Sequence, residues 1–290
     1  MTSIDLTVSG DAVVRDLPHE QYLRHPALSV SGAKTLVRPG GPARFRHERE
    51  HGRPPKDAFD VGHAAHDAVL GVGPELVIID ADDWRTAAAK QARDLARASG
   101  KVPILTKTAD QVADMARALR AHPVASRLLH VTSGEPEVSL FWHDAEHDVD
   151  RRGRVDWLRT PDGNGRLIVV DYKTTTDASP AAIERAVVNF GYHQQAAWYR
   201  DLVIGLGLAK SAPFLFVFQE TAAPYLVHVV ELDPDLIAMG DDRNRQALRL
   251  FADCTERDVW PGYNDEGISS VSAPTWALRQ HEAEQLADES

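Results

Sequence analysis

A chain of 290 residues that is 43% hydrophobic and 26% charged has enough apolar side chains for a full-sized core, which excludes intrinsic disorder as its main character. Its single cysteine, Cys254, excludes an internal disulfide, an iron–sulfur cluster and a structural zinc site built from cysteines, and fits a reducing compartment. The net charge of −11 argues against wholesale coating of nucleic acid, while leaving room for a local basic surface.

Residues 1–16 lack the basic-then-apolar order of a secretory leader, and no stretch approaches the roughly 18 apolar residues of a membrane span. The expectation is a cytoplasmic protein with no membrane partner. Residues 1–30 read as a loosely structured extension. Ser29 or Ser31 is placed to cap a short helix ending near Arg38, where Pro39-Gly40-Gly41-Pro42 stops it. From Lys34 to Lys56 there are seven basic residues, Lys34, Arg38, Arg44, Arg46, Arg49, Arg53 and Lys56, against the two acids Glu48 and Glu50. Such a run is either a solvated surface or a phosphate-contacting one.

Val61, Ala65 and Ala68 or Val69 recur at helical spacing over 57–70, which puts His63 and His66 one turn apart on a helix ended by Gly71-Val72-Gly73-Pro74. A short strand follows at 76–79. Two Ala/Arg/Leu-rich helices at 82–98 and 107–121 flank Gly100-Lys101-Val102-Pro103, and together they read as a helical insertion over about 80–130. Beyond Gly134 the period changes to two. Strands are expected at 137–142, 154–158 and 167–173, the last two joined by a turn at 161–165. Helices at 179–189 and 192–206, strands at 214–219 and 226–232, and a helix over 234–253 complete the pattern. The fold class is α/β, a mixed central sheet flanked by helices, with one domain over 31–253 and a tail over 254–290.

The chemistry concentrates in Gly153-Arg154-Val155-Asp156 followed by Asp171-Tyr172-Lys173. Asp171 and Lys173 are two apart on a strand, so their side chains leave one face, and Asp156 belongs to the neighbouring strand. Two carboxylates and an ammonium converging at a hairpin end suit metal-assisted phosphodiester hydrolysis. A carboxylate-rich site without thiolates favours Mg²⁺ or Mn²⁺. The competing reading is an ordinary surface Asp–Lys pair. Against it stands the apolar run Ile168-Val169-Val170, which sets the polar triplet at the exit of a core strand.

These residues resemble the PD-(D/E)XK nuclease superfamily, and more narrowly the exonuclease VIII (RecE-type) nuclease domain of phages and prophages. Val61-Gly62-His63-Ala64-Ala65-His66 is similar to its G-x-x-x-H helix, Glu137 to Trp142 to its acidic strand, and Arg154-Val155-Asp156 to its R-x-D segment. Asp171 to Thr175 is similar to D-x-K-T-T, and Gly191 to Tyr199 to G-Y-H-x-Q-x-x-x-Y. Val155 stands where the family usually has proline. The resemblance runs from about Ser29 to about Phe251 and implies a restriction-endonuclease-like core.

It also implies roles. Asp156 and Asp171 would bind metal, with the Tyr172 carbonyl as a third oxygen, His66 bound directly or through water, and Glu137 either at a second metal or at a strand edge. His63 would be a surface or supporting residue. Lys173 would be the catalytic lysine, with Gln195 and Tyr199 reaching it or a DNA phosphate from one helix face. Lys34, Arg44, Arg46 and Arg49 are expected to meet the DNA backbone, and Trp142, Trp157 and Trp198 to belong to the core. The implied activity is a Mg²⁺-dependent 5′-to-3′ exonuclease on duplex ends, leaving 3′ single strands for a single-strand annealing protein. Self-assembly is left open. A structure-specific endonuclease, or an inactive DNA-binding scaffold, would be the alternatives.

Overall fold

The period-two segments of the second half all form strands, and they meet in one sheet. The computed structural model describes residues 8, 10–52, 58–72, 75–159, 166–265 and 267–288; the turn expected at 161–165, Arg53, Lys56 and the His63 side chain lie outside the described residues. In chain order, β1 (Ala12–Val14), α1 (His19–Arg24), β2 (Leu28–Ser29), α2 (Val30–Leu36), α3 (Gly41–His51) and α4 (Ala58–Leu70) come first. Then follow β3 (Leu76–Ile79), α5 (Ala87–Ala98), β4 (Val102–Leu105), α6 (Thr106–Ala121) and α7 (Ala125–Leu128). The second half holds β5 (Gly134–Asp144), β6 (Val149–Arg159), β7 (Ile168–Thr175), α8 (Pro180–Asn189), α9 (Tyr192–Gly205), β8 (Phe214–Glu220), β9 (Val227–Glu231), α10 (Pro234–Arg257) and α11 (Thr275–Asp288).

The main sheet runs β1-β5-β6-β7-β8-β9, with β2 beside β6. β7 and β8 are parallel across the α8–α9 crossover, and β2 and β6 are also parallel. The other pairs are antiparallel, so the sheet is mixed as expected. Alternation along β7 decides which side chains face which layer. Val169 packs with α2, α8, α9 and α10, while Val170 and Tyr172 pack with α4, α6 and β4. Trp157 and Trp198 are fully buried, and Trp142 is half-buried against the first of these layers.

Three expectations need revision. Residues 12–14 pair with β5, from Ala12 opposite Phe141 to Val14 opposite Ser139, so the N-terminal part is not loose. A three-residue strand has too short a period to show in sequence. The insertion is not purely helical either: Val102 to Leu105 forms a parallel pair with β3, where Pro103 is tolerated because the sheet has only two strands, each with a free edge. Finally, the chain past 254 is partly docked. α10 continues to Arg257, and Trp260 stacks on Phe45 at 5.5 Å.

Candidate active site

The strand register builds the centre. Trp157 pairs with Val170, so Asp156 and Asp171 are the next opposing positions, at the point where the β6–β7 ladder stops. Further along, β6 has taken β2 as a partner at Arg151 and Arg152. In the gap, the Asp156 carboxylate accepts the Tyr172 amide N–H at 2.9 Å and does the work of the missing strand carbonyl. On the opposite side, Pro136 pairs with Trp157 and Val138 with Val155, which brackets Glu137 against Asp156. Glu137 has φ +51°, a left-handed conformation costing on the order of 1–3 kcal/mol for a residue with a Cβ. Arg154 offsets part of that by donating to Glu137 Oε2 at 3.3 Å, to Ser139 Oγ at 3.0 Å and to the Leu17 carbonyl at 2.7 Å.

α4 brings His66 to this pair. Its Nε2 lies 3.4 Å from Asp156 Oδ1 and 3.6 Å from Glu137 Oε1. Among the described residues, the ligand atoms that lie within 4.8 Å of one another belong to His66, Glu137 and Asp156. One imidazole nitrogen and two carboxylates, with no sulfur, fit a Mg²⁺- or Mn²⁺-type ion. Glu137 is thus a member of the cluster as well as a strand residue. Asp171 faces a different set. It is 1% exposed, ion-paired with Lys173, and accepts from Gln195 Nε2 at 2.6 Å. Tyr172 meets the cluster through its amide, while its phenol donates to Gln219 Oε1 at 2.6 Å on the opposite layer. Gln219 in turn donates to the Met115 carbonyl at 2.8 Å, which ties β7 through β8 to α6.

Charge is unevenly tolerated here. Burial and the neighbouring Asp156 raise the Asp171 carboxyl to about 6, against the pull of Lys173 and Lys34. Burial also acts against the Asp156 carboxylate, but His66, Lys173 and the Tyr172 amide outweigh it and hold its pKa below the usual value. Burial works against charge on Lys173 as well, yet Asp171 and Asp156 raise its pKa, so it stays an ammonium at neutral pH. His66 is raised in spite of burial, by Asp156 and Glu137, and Glu137 is raised by burial and by Asp156.

Of the residues expected at the site, His66, Glu137, Asp156, Asp171, Lys173 and Gln195 come together. Tyr199 lies deeper, within electrostatic reach of Asp171 and Asp156. It is buried against Gly153, where a Cβ would lie 2.6 Å from the Tyr199 ring, so this glycine lets α9 approach β6. Burial raises the Tyr199 phenol well above its ordinary range. Lys34 does reach the centre: its Nζ and that of Lys173 stand 5.5 and 5.4 Å from the Tyr192 ring. Burial and Lys173 together lower Lys34 to about 7.

The three arginines expected at DNA have partners within the chain. Arg44 donates to the Tyr263 hydroxyl at 2.7 Å, Arg46 pairs with Glu50 and with Asp258, and Arg49 donates to the Pro26 carbonyl at 3.2 Å. Arg46 also lies 5.8 Å from the Trp260 ring, so this helix face holds the segment after α10. Sequence reasoning gave no role to Arg154 or Tyr192. The signal for each was its place in a family motif, Arg154 in R-x-D and Tyr192 directly after Gly191 in G-Y-H-x-Q.

A mixed sheet whose central ladder opens at Asp156 and Asp-x-Lys, with a helix-borne histidine at its side, defines a PD-(D/E)XK-type domain. The family described as a PDDEXK-like domain of unknown function, DUF3799, matches residues 29–270, and the chain belongs to that family. Among solved structures, a protein from Eubacterium rectale assigned as an exonuclease is similar at a TM-score of 0.57 and 12% identity, over 91% of this chain and 98% of that one. SSO0001 matches 72% of this chain and 90% of its own at 13% identity, with a TM-score of 0.30 that is too low to bear on the fold. No curated protein matches.

Proposed function

We propose that the chain is a divalent-cation-dependent deoxyribonuclease, acting as a 5′-to-3′ exonuclease of the exonuclease VIII type on linear duplex ends. The observation that carries this reading is the opened β6–β7 ladder, which faces Asp156 toward Asp171 and Lys173 and gathers His66 and Glu137 beside them. Family membership and the fold shared with the Eubacterium rectale protein support it.

His66, Glu137 and Asp156 would hold Mg²⁺ or Mn²⁺, with Asp171 across the gap. Such an ion supplies Lewis-acid polarisation of a phosphate and acidifies bound water. The chain's own groups do the rest. Lys173 is held protonated between two carboxylates, so it serves as a fixed positive charge for the attacking water and the developing phosphorane, not as a base. Gln195 fixes the Asp171 carboxylate through the 2.6 Å hydrogen bond, and the Tyr172 amide does the same for Asp156. Lys34 adds a second amine beside Lys173, one that burial and Lys173 leave only partly protonated at neutral pH and that a bound phosphate would favour in its charged form.

By this reading the products are 3′ single strands, the partner is a single-strand annealing protein, and the setting is the cytoplasm. Incubation of linear and covalently closed duplex with Mg²⁺ or Mn²⁺ tests the proposal. Digestion of the linear form alone is expected. Nicking of both forms would indicate an endonuclease on the same site, and hydrolysis of neither would leave a DNA-binding module.

A further inference from the structure

The turn between α8 and α9 presents an exposed aromatic ring one ring away from Lys173. Asn189 ends α8, Gly191 adopts φ +64°, and Tyr192 begins α9, so the chain reverses within two residues. That reversal sends Tyr192 inward and leaves Phe190 outward. The Tyr192 ring packs on Phe216 and Phe218 at 5.5 and 5.8 Å, and the Phe190 ring lies 5.8 Å from Tyr192 on the solvent side. Phe190 is 60% exposed. An isolated exposed phenylalanine needs no explanation. This one ends a row of rings that starts in the core, and the middle ring of that row is the one that Lys34 and Lys173 both approach.

An apolar face one ring away from two lysine amines matches the two parts of a nucleotide, a flat base and an anionic phosphate. We infer that Phe190 is a stacking platform for the base of the nucleotide adjoining the scissile phosphate, with Lys34 and Lys173 taking the phosphate. The inference rests on the nuclease reading and specifies how that site grips its strand. Every nucleobase has a π face, so the contact would be tolerant of sequence, as suits an enzyme that advances along DNA.

The test uses the full-length protein, without divalent cation, and linear duplexes carrying a fluorescent purine analogue at successive terminal positions of either strand. Wild type is expected to change the fluorescence of the analogue at one position on binding. Phe190→Ala should abolish that change and weaken binding by about tenfold, while Phe190→Trp should keep both. Since Phe190 lies on the surface, thermal melting of both variants should match wild type. Phe190→Ala with wild-type affinity and an unaltered fluorescence change would overturn the inference while leaving the nuclease reading in place. A wild-type protein that neither binds linear DNA nor hydrolyses it with Mg²⁺ or Mn²⁺ would overturn both.

Discussion

Replacing Asp171 with asparagine should make the metal-free protein more stable while removing its activity. In the folded chain this carboxyl is raised from 3.8 to about 6, with burial as the main cause and Asp156 as the second. The ionised form therefore penalises folding by on the order of 3 kcal/mol at neutral pH. The sign follows from linkage. Below about pH 4 both folded and unfolded chains hold Asp171 protonated, so the variant and wild type should coincide. As pH rises toward 6 the unfolded chain ionises first, wild type loses stability relative to Asp171→Asn, and above that range the gap is complete. Loss of the partner does not strand Lys173, because Asp156 also stabilises its charge. Urea unfolding in EDTA across a pH series reads the difference directly, and divalent cation should narrow it by stabilising wild type more than the variant. A variant equal to or less stable than wild type at neutral pH would refute the claim that an ionised Asp171 is held at a cost.

Lys173→Ala should lower turnover by about a hundredfold to a thousandfold while Mn²⁺ binding by calorimetry stays close to wild type, and lost metal binding would make the lysine structural. Gly153→Ala should destabilise by about 1–3 kcal/mol and slow hydrolysis by shifting Asp156, since the new Cβ would lie 2.6 Å from Tyr199 and 2.7 Å from Leu202; melting and rate measurements together check it. Replacing Arg44, Arg46 and Arg49 with alanine should loosen the segment around Trp260 and Tyr263, lowering the melting temperature with little change in the salt dependence of DNA binding. A salt slope shallower by about one per arginine would instead assign them to phosphate contacts.

Much of this centre was legible because period-two burial fixes faces. Asp171 and Lys173 share a face by spacing alone, and the apolar residues before them mark a core strand. The family's motif order then located His66, Asp156 and Gln195. What the sequence withheld depends on contacts between distant segments. Arg154 matters through Glu137, Ser139 and Leu17, and no spacing rule connects those positions. The basic run from Lys34 to Lys56 looked uniform as charge. Tertiary structure divides it: Lys34 points at Tyr192 beside Lys173, whereas the arginines meet Tyr263, Asp258 and Pro26. Gln195 and Tyr199 share a helix face by their spacing of four, but the depth of Tyr199 was not legible, because it depends on the absent side chain of Gly153, which lets that part of the helix approach β6.

The central claim is that hydrolysis depends on a divalent ion gathered at His66, Glu137 and Asp156. The most direct measurement is the rate of hydrolysis of end-labelled linear duplex as Mg²⁺ or Mn²⁺ is titrated into wild type and Asp156→Asn. Wild type should show no hydrolysis in EDTA and saturable activation by the metal, and the variant should lose at least about a hundredfold at every metal concentration. Hydrolysis by wild type in EDTA, or activation of Asp156→Asn to the wild-type rate, would contradict it.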